Sequence, residues 1–190
     1  MILTVFGSSA PQPGSPLYEA CLNLGRLAAK SGWSVATGGY MGVMEAISRG
    51  AAESGGHVIG VTCDELNSLR PEGANPWVSE VRNFTTLKDR LWHLVEICDA
   101  AIAMPGGIGT LAEIAVMWNS VGINSIPAKP LVLVGDGWRK VMDVLNQEQT
   151  GYMRTEDLQW IDYVPDAVTA FNKIADYAHT KPMKAGIKNG

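Results

Sequence analysis

The chain has 190 residues, a net charge of −4 and an apolar fraction of 46%. That is enough chain to bury one sizeable core, and too apolar for general disorder. The acidic balance and the lack of a long basic run argue against a dedicated nucleic-acid binder. Three cysteines without a CxxC pair fit reduced thiols, and a start on "MILTVFGSS" shows no secretory leader, so a cytoplasmic protein is expected. No apolar run reaches the roughly 20 residues of a membrane span.

In chain order, "ILTVFGSS" is predicted as a buried strand ending in small residues. "SPLYEACLNLGRLAAKSG" has helical periodicity, with Ser15 and Pro16 as start signals and Gly32 as a stop. "WSVATGG" is a second strand, "GVMEAISRGAAESGG" a helix and "HVIGVTC" a third strand. The segment Asp64 to Ser79 has two prolines and little periodicity, and is predicted as a surface loop. "SEVRNF" follows as a strand. The helix "TTLKDRLWHLVEICD" sets Leu87, Leu91, Leu94, Val95 and Cys98 on one stripe. The strand "AAIAMPGG" leads into the helix "GTLAEIAVMWNSVG". After them come "KPLVLVG", the helix "WRKVMDVLNQEQTG", the strand-like "QWIDYV" and the helix "PDAVTAFNKIADYAH". Alternation of short apolar strands with helices predicts an α/β fold: a doubly wound, Rossmann-like, mainly parallel sheet with helices on both faces. One domain over residues 1–180 is expected, with a flexible tail over 181–190.

In such a fold, ligands bind outside the carboxyl ends of the strands near the switch point in strand order. Three small-residue turns fall at strand ends. The first holds Ser8 and Ser9, and the second holds Gly38, Gly39 and Gly42. The third is "PGGIGT", with Gly106, Gly107, Ile108, Gly109 and Thr110. Glycines let backbone N–H groups approach a ligand, and a helix start favours an anion, so this third turn is a candidate phosphate cradle. A tight strand-to-helix turn packed for its own sake is the alternative. Neither a GxGxxG nor a GxxxxGK[ST] is completed, which disfavours a dinucleotide fingerprint and a P-loop.

Four residues beyond Gly109, Glu113 stands alone among Leu111, Ala112, Ile114, Ala115 and Val116. A helix apolar on nearly every face is expected to be buried on nearly every face, here beneath a partner subunit. A carboxylate there requires hydrogen bonds or a cation. Otherwise it is an acid favoured by the helix start. Arg90 borders the apolar stripe of its own helix, and can pair with Glu113, hold a phosphate bidentately, or lie solvated at the surface. His57, His93 and His179 have no metal-site spacing, and no metal is expected.

Taken together, "PGGIGTLAE" resembles the PGGxGTxxE signature of the LOG ("lonely guy") proteins, long labelled possible lysine decarboxylases. "TGGYMGVMEA" is similar to that family's second glycine motif, and Arg90 occupies the place of its arginine. The stretch "LKDRL" keeps that arginine, with Asp89 for the family's glutamate and Leu91 for its lysine. The resemblance spans about Ile2 to Leu145. It implies a cytokinin riboside 5′-monophosphate phosphoribohydrolase, which splits a nucleoside 5′-monophosphate into free base and ribose 5-phosphate without a cofactor. Related members act on AMP or other nucleotides, commonly as dimers with the site at the subunit interface. The resemblance makes Glu113 and Arg90 the catalytic pair and the glycine turns, with Ser8 and Ser9, the nucleotide-binding elements. Decarboxylation is disfavoured, because pyridoxal chemistry needs a Schiff-base lysine and a partner for the ring nitrogen.

The same segments also resemble relatives that carry molybdenum cofactor; "GDGWRKVMD" is similar to their later segment. In that reading the cradle holds the pterin phosphate as a ligand and no bond is cleaved. Hydrolysis is preferred, since simple binding leaves Glu113 without a role. A nucleotide-sensing domain without turnover is the third alternative.

Overall fold

The computed structural model describes residues 1–180. The expectation of a flexible tail at 181–190 lies outside the described residues. Seven strands are β1 (Ile2–Phe6), β2 (Ser34–Thr37), β3 (Val58–Cys63), β4 (Glu80–Phe84), β5 (Ala100–Ala103), β6 (Leu131–Val134) and β7 (Asp162–Val164). All neighbours pair in parallel, in the order β4-β3-β2-β1-β5-β6-β7. The order reverses between β1 and β5, where Thr4 pairs with Ala36 on one side and Ala101 on the other. The predicted doubly wound sheet is therefore the observed one.

Helices α1 (Pro16–Lys30), α2 (Val43–Glu53) and α7 (Ala167–Thr180) cover one face of the sheet. Tyr18, Leu24, Ile47, Phe171 and Ile174 are buried there. The other face carries α4 (Leu87–Glu96), α5 (Ile108–Gly122) and α6 (Asp136–Glu148), through Leu94, Ile114, Met117, Trp138 and Met142. Strands buried on both faces require apolar side chains in both directions, which explains why β5 and β6 read as continuous apolar runs.

Local signals set the helix starts. The Ser15 hydroxyl accepts from the Tyr18 N–H, with Pro16 in the first helical position. Thr86 caps α4 by accepting from the Asp89 N–H at 3.1 Å, while its own hydroxyl donates to the Asp89 carboxylate at 2.7 Å. At the far end of α4, the Lys129 ammonium donates to the carbonyls of Val95, Glu96 and Cys98 at 2.7–3.1 Å. A cation there satisfies orphan carbonyls and complements the helix dipole.

Two segments differ from the sequence reading. The expected loop after β3 begins with a short helix α3 (Asp64–Asn67). The expected strand "QWIDYV" is split: Gln159 and Trp160 end a 3₁₀ turn (Thr155–Trp160), and only Asp162–Val164 pairs with β6. Trp160 packs against the core instead of extending the ladder. All three cysteines are free and buried.

Candidate active site

The small-residue turns after β1, β2 and β5 lie at the carboxyl ends of neighbouring central strands. Backbone bonds lock them together. The Ser8 N–H donates to Pro105 O at 3.1 Å, and the Val43 N–H at the start of α2 donates to Ser8 O at 2.9 Å. Gly42 allows that second approach. Its φ is +70°, and a Cβ would lie 2.5–2.7 Å from backbone atoms of Ser8 and Ser9. A side chain there meets backbone that cannot yield.

Over these turns opens a cleft of about 290 Å³. Ser8, Ser9, Gly107, Gly109, Thr110, Arg90 and Glu113 all line it. The remaining expected residues sit behind or beside it. Gly106 packs against the Thr110 side chain, and Gly38 lies against the Arg90 guanidinium and Met44. Gly39 takes a φ of +78° beside Thr62, and Ile108 is 82% exposed outside the cleft. Helix α5 starts at Gly107 with no capping side chain. Its first N–H groups therefore keep their donor capacity beside the cleft, the arrangement that receives anions. The Ser8 hydroxyl accepts from the Ala10 N–H at 3.1 Å, which holds the first turn closed.

Glu113 is the sixth residue of α5, beyond the first turn, so the helix start does not account for it. It is buried, with 9% exposure, and its cation is Arg90. The Arg90 Nη1 to Glu113 Oε1 distance is 3.7 Å, close enough for charge attraction but too long for a hydrogen bond. Burial pushes the Glu113 carboxyl up to about 7, with Arg90 opposing. At neutral pH this group can take or release a proton, as an acid–base or electrostatic catalyst must.

Arg90 itself is 5% exposed, which removes the solvated-surface reading. Its Nε donates to Val61 O at 2.8 Å, Nη1 faces Glu113, and Nη2 abuts Gly38. A β3 carbonyl, the turn after β2 and a carboxylate of α5 thus surround one guanidinium. Within one copy, α5 is not buried on every face. Thr110, Glu113, Ile114, Met117, Ser120 and Val121 are buried, but Ala115 and Ile123 are exposed and Ala112 and Val116 half-buried. Leu87 and Trp92 of α4 are 41% and 39% exposed beside that stripe, so one face of the two helices is left open by the chain itself.

Sequence reasoning missed four contributors. Met44 and Leu66 line the cleft, and so does Arg70, from the segment taken as a plain surface loop. Trp138 of α6 donates its indole N–H to Met104 O at 3.0 Å, propping the strand end just before Pro105. Among the described residues no His, Cys, Asp and Glu group could hold a metal ion, and no helix is long and apolar enough to cross a membrane.

Residues 44–174 match the family described as "Possible lysine decarboxylase". The chain is 31% identical over 137 residues to the cytokinin riboside 5′-monophosphate phosphoribohydrolase of Rhodococcoides fascians, covering 70% of this chain and 67% of that one. A protein of the same name from Arabidopsis thaliana is 29% identical over 180 residues, or 93% and 82% of the two chains. Among solved structures, the molybdenum cofactor binding protein of Rippkaea orientalis superposes with a TM-score of 0.70 at 26% identity, covering 93% of this chain and 96% of that one. The match over residues 44–174 and these likenesses agree: the chain belongs to the possible lysine decarboxylase, or LOG, family.

Proposed function

We propose that the protein is a nucleoside 5′-monophosphate phosphoribohydrolase, acting on cytokinin riboside 5′-monophosphate or AMP. The observation that carries this is Glu113: a buried carboxyl, held near pH 7, in the same cleft as an uncapped helix start. The N–H groups at Gly107 to Thr110, with the Thr110 and Ser9 hydroxyls, receive the 5′-phosphate. The ribose then lies over Glu113. As the C1′–N bond lengthens, positive charge grows on the ribose, and the Glu113 carboxylate stabilises it or orients the attacking water. Water oxygen bonds to C1′, the base leaves with the bond electrons and takes up a proton, and ribose 5-phosphate remains. Arg90 positions the carboxylate and the substrate. No cofactor enters these steps.

Chromatography of purified protein incubated with AMP, or with isopentenyladenosine 5′-monophosphate, is expected to show free base and ribose 5-phosphate in equal amounts. Intact nucleotide in both incubations overturns the reading. It then favours the second one, supported by the likeness to the Rippkaea orientalis protein, in which the cradle holds the phosphate of molybdenum cofactor as cargo.

The working unit is proposed to be a homo-oligomer, with a second copy covering the open α4–α5 face. Ile108, Ile123, Leu87 and Trp92 are all exposed in one copy. A cluster of that kind is costly to leave in water. Sedimentation is expected to give at least a dimer, and Val116→Glu is expected to shift it toward monomer. The three buried free thiols fit a reducing, cytoplasmic setting.

A further inference from the structure

A second arginine reaches the cleft from the other side of the switch point. Arg70 follows β3 and α3, whereas the glycine cradle follows β5. The strand order separates β3 from β5 by three intervals, about 14 Å at the usual strand spacing. Cradle and Arg70 therefore bracket the cleft, and a nucleotide held by its phosphate at the cradle extends its base toward Arg70.

The guanidinium at that end is held in place. Its carbon lies 4.6 Å from the centroid of the Tyr40 ring. Tyr40 is 1% exposed, and its hydroxyl donates to Asn67 Oδ1 at 3.0 Å and accepts from the Cys63 N–H at 3.4 Å. Asn75 fastens the same turn by donating to the carbonyls of Gly39 and Tyr40 at 3.0 and 2.9 Å. Tyr40 is thus a buried platform for Arg70 and not itself a stacking surface in the cleft. Nearby lining is apolar, from Met44 and Leu66, and the cleft's one carboxylate is Glu113.

A guanidinium offers five N–H donors in a planar fork and no acceptor. An apolar slot with such a fork suits a heteroaromatic base that shows two adjacent acceptors on one edge. The N7 and O6 atoms of a 6-oxopurine form that pair; adenine places an amino donor beside N7. We propose that Arg70 reads the base and extends the substrates of this site to 6-oxopurine nucleoside 5′-monophosphates. The proposal rests on the hydrolase reading for the phosphate and sugar end.

The test compares kcat/KM for GMP, IMP and AMP in the wild type, Arg70→Met and Arg70→Lys. Wild type is expected to hydrolyse GMP and IMP at least as well as AMP. Arg70→Met keeps an apolar stem on Tyr40 but no donor. It is expected to lower GMP and IMP about 10- to 100-fold and AMP by less than about threefold. Arg70→Lys keeps the charge without the fork and is expected not to restore GMP. Equal losses for all three nucleotides, no loss for any, or full rescue by lysine overturns the proposal. Absence of base release from every nucleotide in wild type is a failure of the hydrolase reading. Calorimetric binding of GMP and AMP then decides Arg70 separately. Selective weakening of GMP in Arg70→Met supports it, and equal or absent binding overturns it.

Discussion

Glu113→Gln is expected to lower turnover at least about 100-fold while making the protein more stable at alkaline pH. The first effect follows from charge. Glutamine keeps the shape but cannot carry the negative charge that a developing ribose cation needs, and general acid–base or electrostatic groups contribute on the order of 10²–10⁴-fold. The second follows from proton linkage. Burial raises the folded-state pKa of Glu113 to about 7, above its ordinary value of 4.5. Between those values the folded chain binds the proton more tightly than the unfolded one, so stability falls as pH rises through the window and stays low above it. Glutamine has no charge to bury. Its advantage over glutamate is absent below the window and grows to about 1–3 kcal/mol above it. Urea denaturation at pH 5 and pH 8 checks this. In the wild type, kcat/KM is expected to rise with pH through about 7, because the ionised carboxylate is the working form. A variant with near-normal turnover, or one equally stable relative to wild type at both pH values, contradicts the assignment.

Arg90→Met is expected to be damaging in both respects. The side chain holds Val61 O, faces Glu113 and fills the space beside Gly38. Removing it leaves a buried carboxylate without its cation and a strand carbonyl without its donor. Breaking a buried pair from one side costs about 3–5 kcal/mol. The loss is expected to be largest at pH 8 and smaller at pH 6, where Glu113 can be protonated instead. Arg90 is the influence that lowers the Glu113 pKa, so its removal moves the kcat/KM inflection to higher pH. Turnover at pH 7 is expected to fall at least about 100-fold. Lysine is not expected to rescue it, since one ammonium cannot reach Val61 O and Glu113 with the fork's geometry. A pH–rate profile and a denaturation series on the same preparations test both parts.

The fold was largely legible because each strand and helix announces itself locally. Ser15-Pro16 and Thr86 mark helix starts, and short apolar runs mark doubly covered strands. The glycine turn beside the cleft was legible for a similar reason: glycines clustered at a strand end have few purposes besides close backbone approach. Glu113 stood out as a charge in an apolar helix. Arg90 was legible only as a candidate, since its burial depends on Val61 and Gly38, far from it in the chain. Arg70 was not legible. Its segment has no periodicity, and its position comes from Tyr40, thirty residues earlier, through a ring contact with no sequence signature. Apolar periodicity in α5 reports that a face is covered without saying by which chain, and a single copy leaves part of that face open.

The reversal of strand order between β1 and β5 also bears on the order in which the chain can be built. β1, β2, β3 and β4 are made in succession and pair as neighbours, so the amino-terminal half can complete its ladder as it leaves the ribosome. The other edge of β1 stays open until residues 100–103 have been synthesised and can pair with Leu3 to Phe6. For that interval a flat apolar strand destined for the middle of the sheet is an exposed edge, the kind of template on which chains misassemble. The segment that closes this edge also brings Pro105 to the Ser8 N–H and leads into Gly107 and Glu113 of the cleft lining. Nascent chains stopped before β5 should therefore be the species that most needs chaperone cover, and they cannot yet form the cleft.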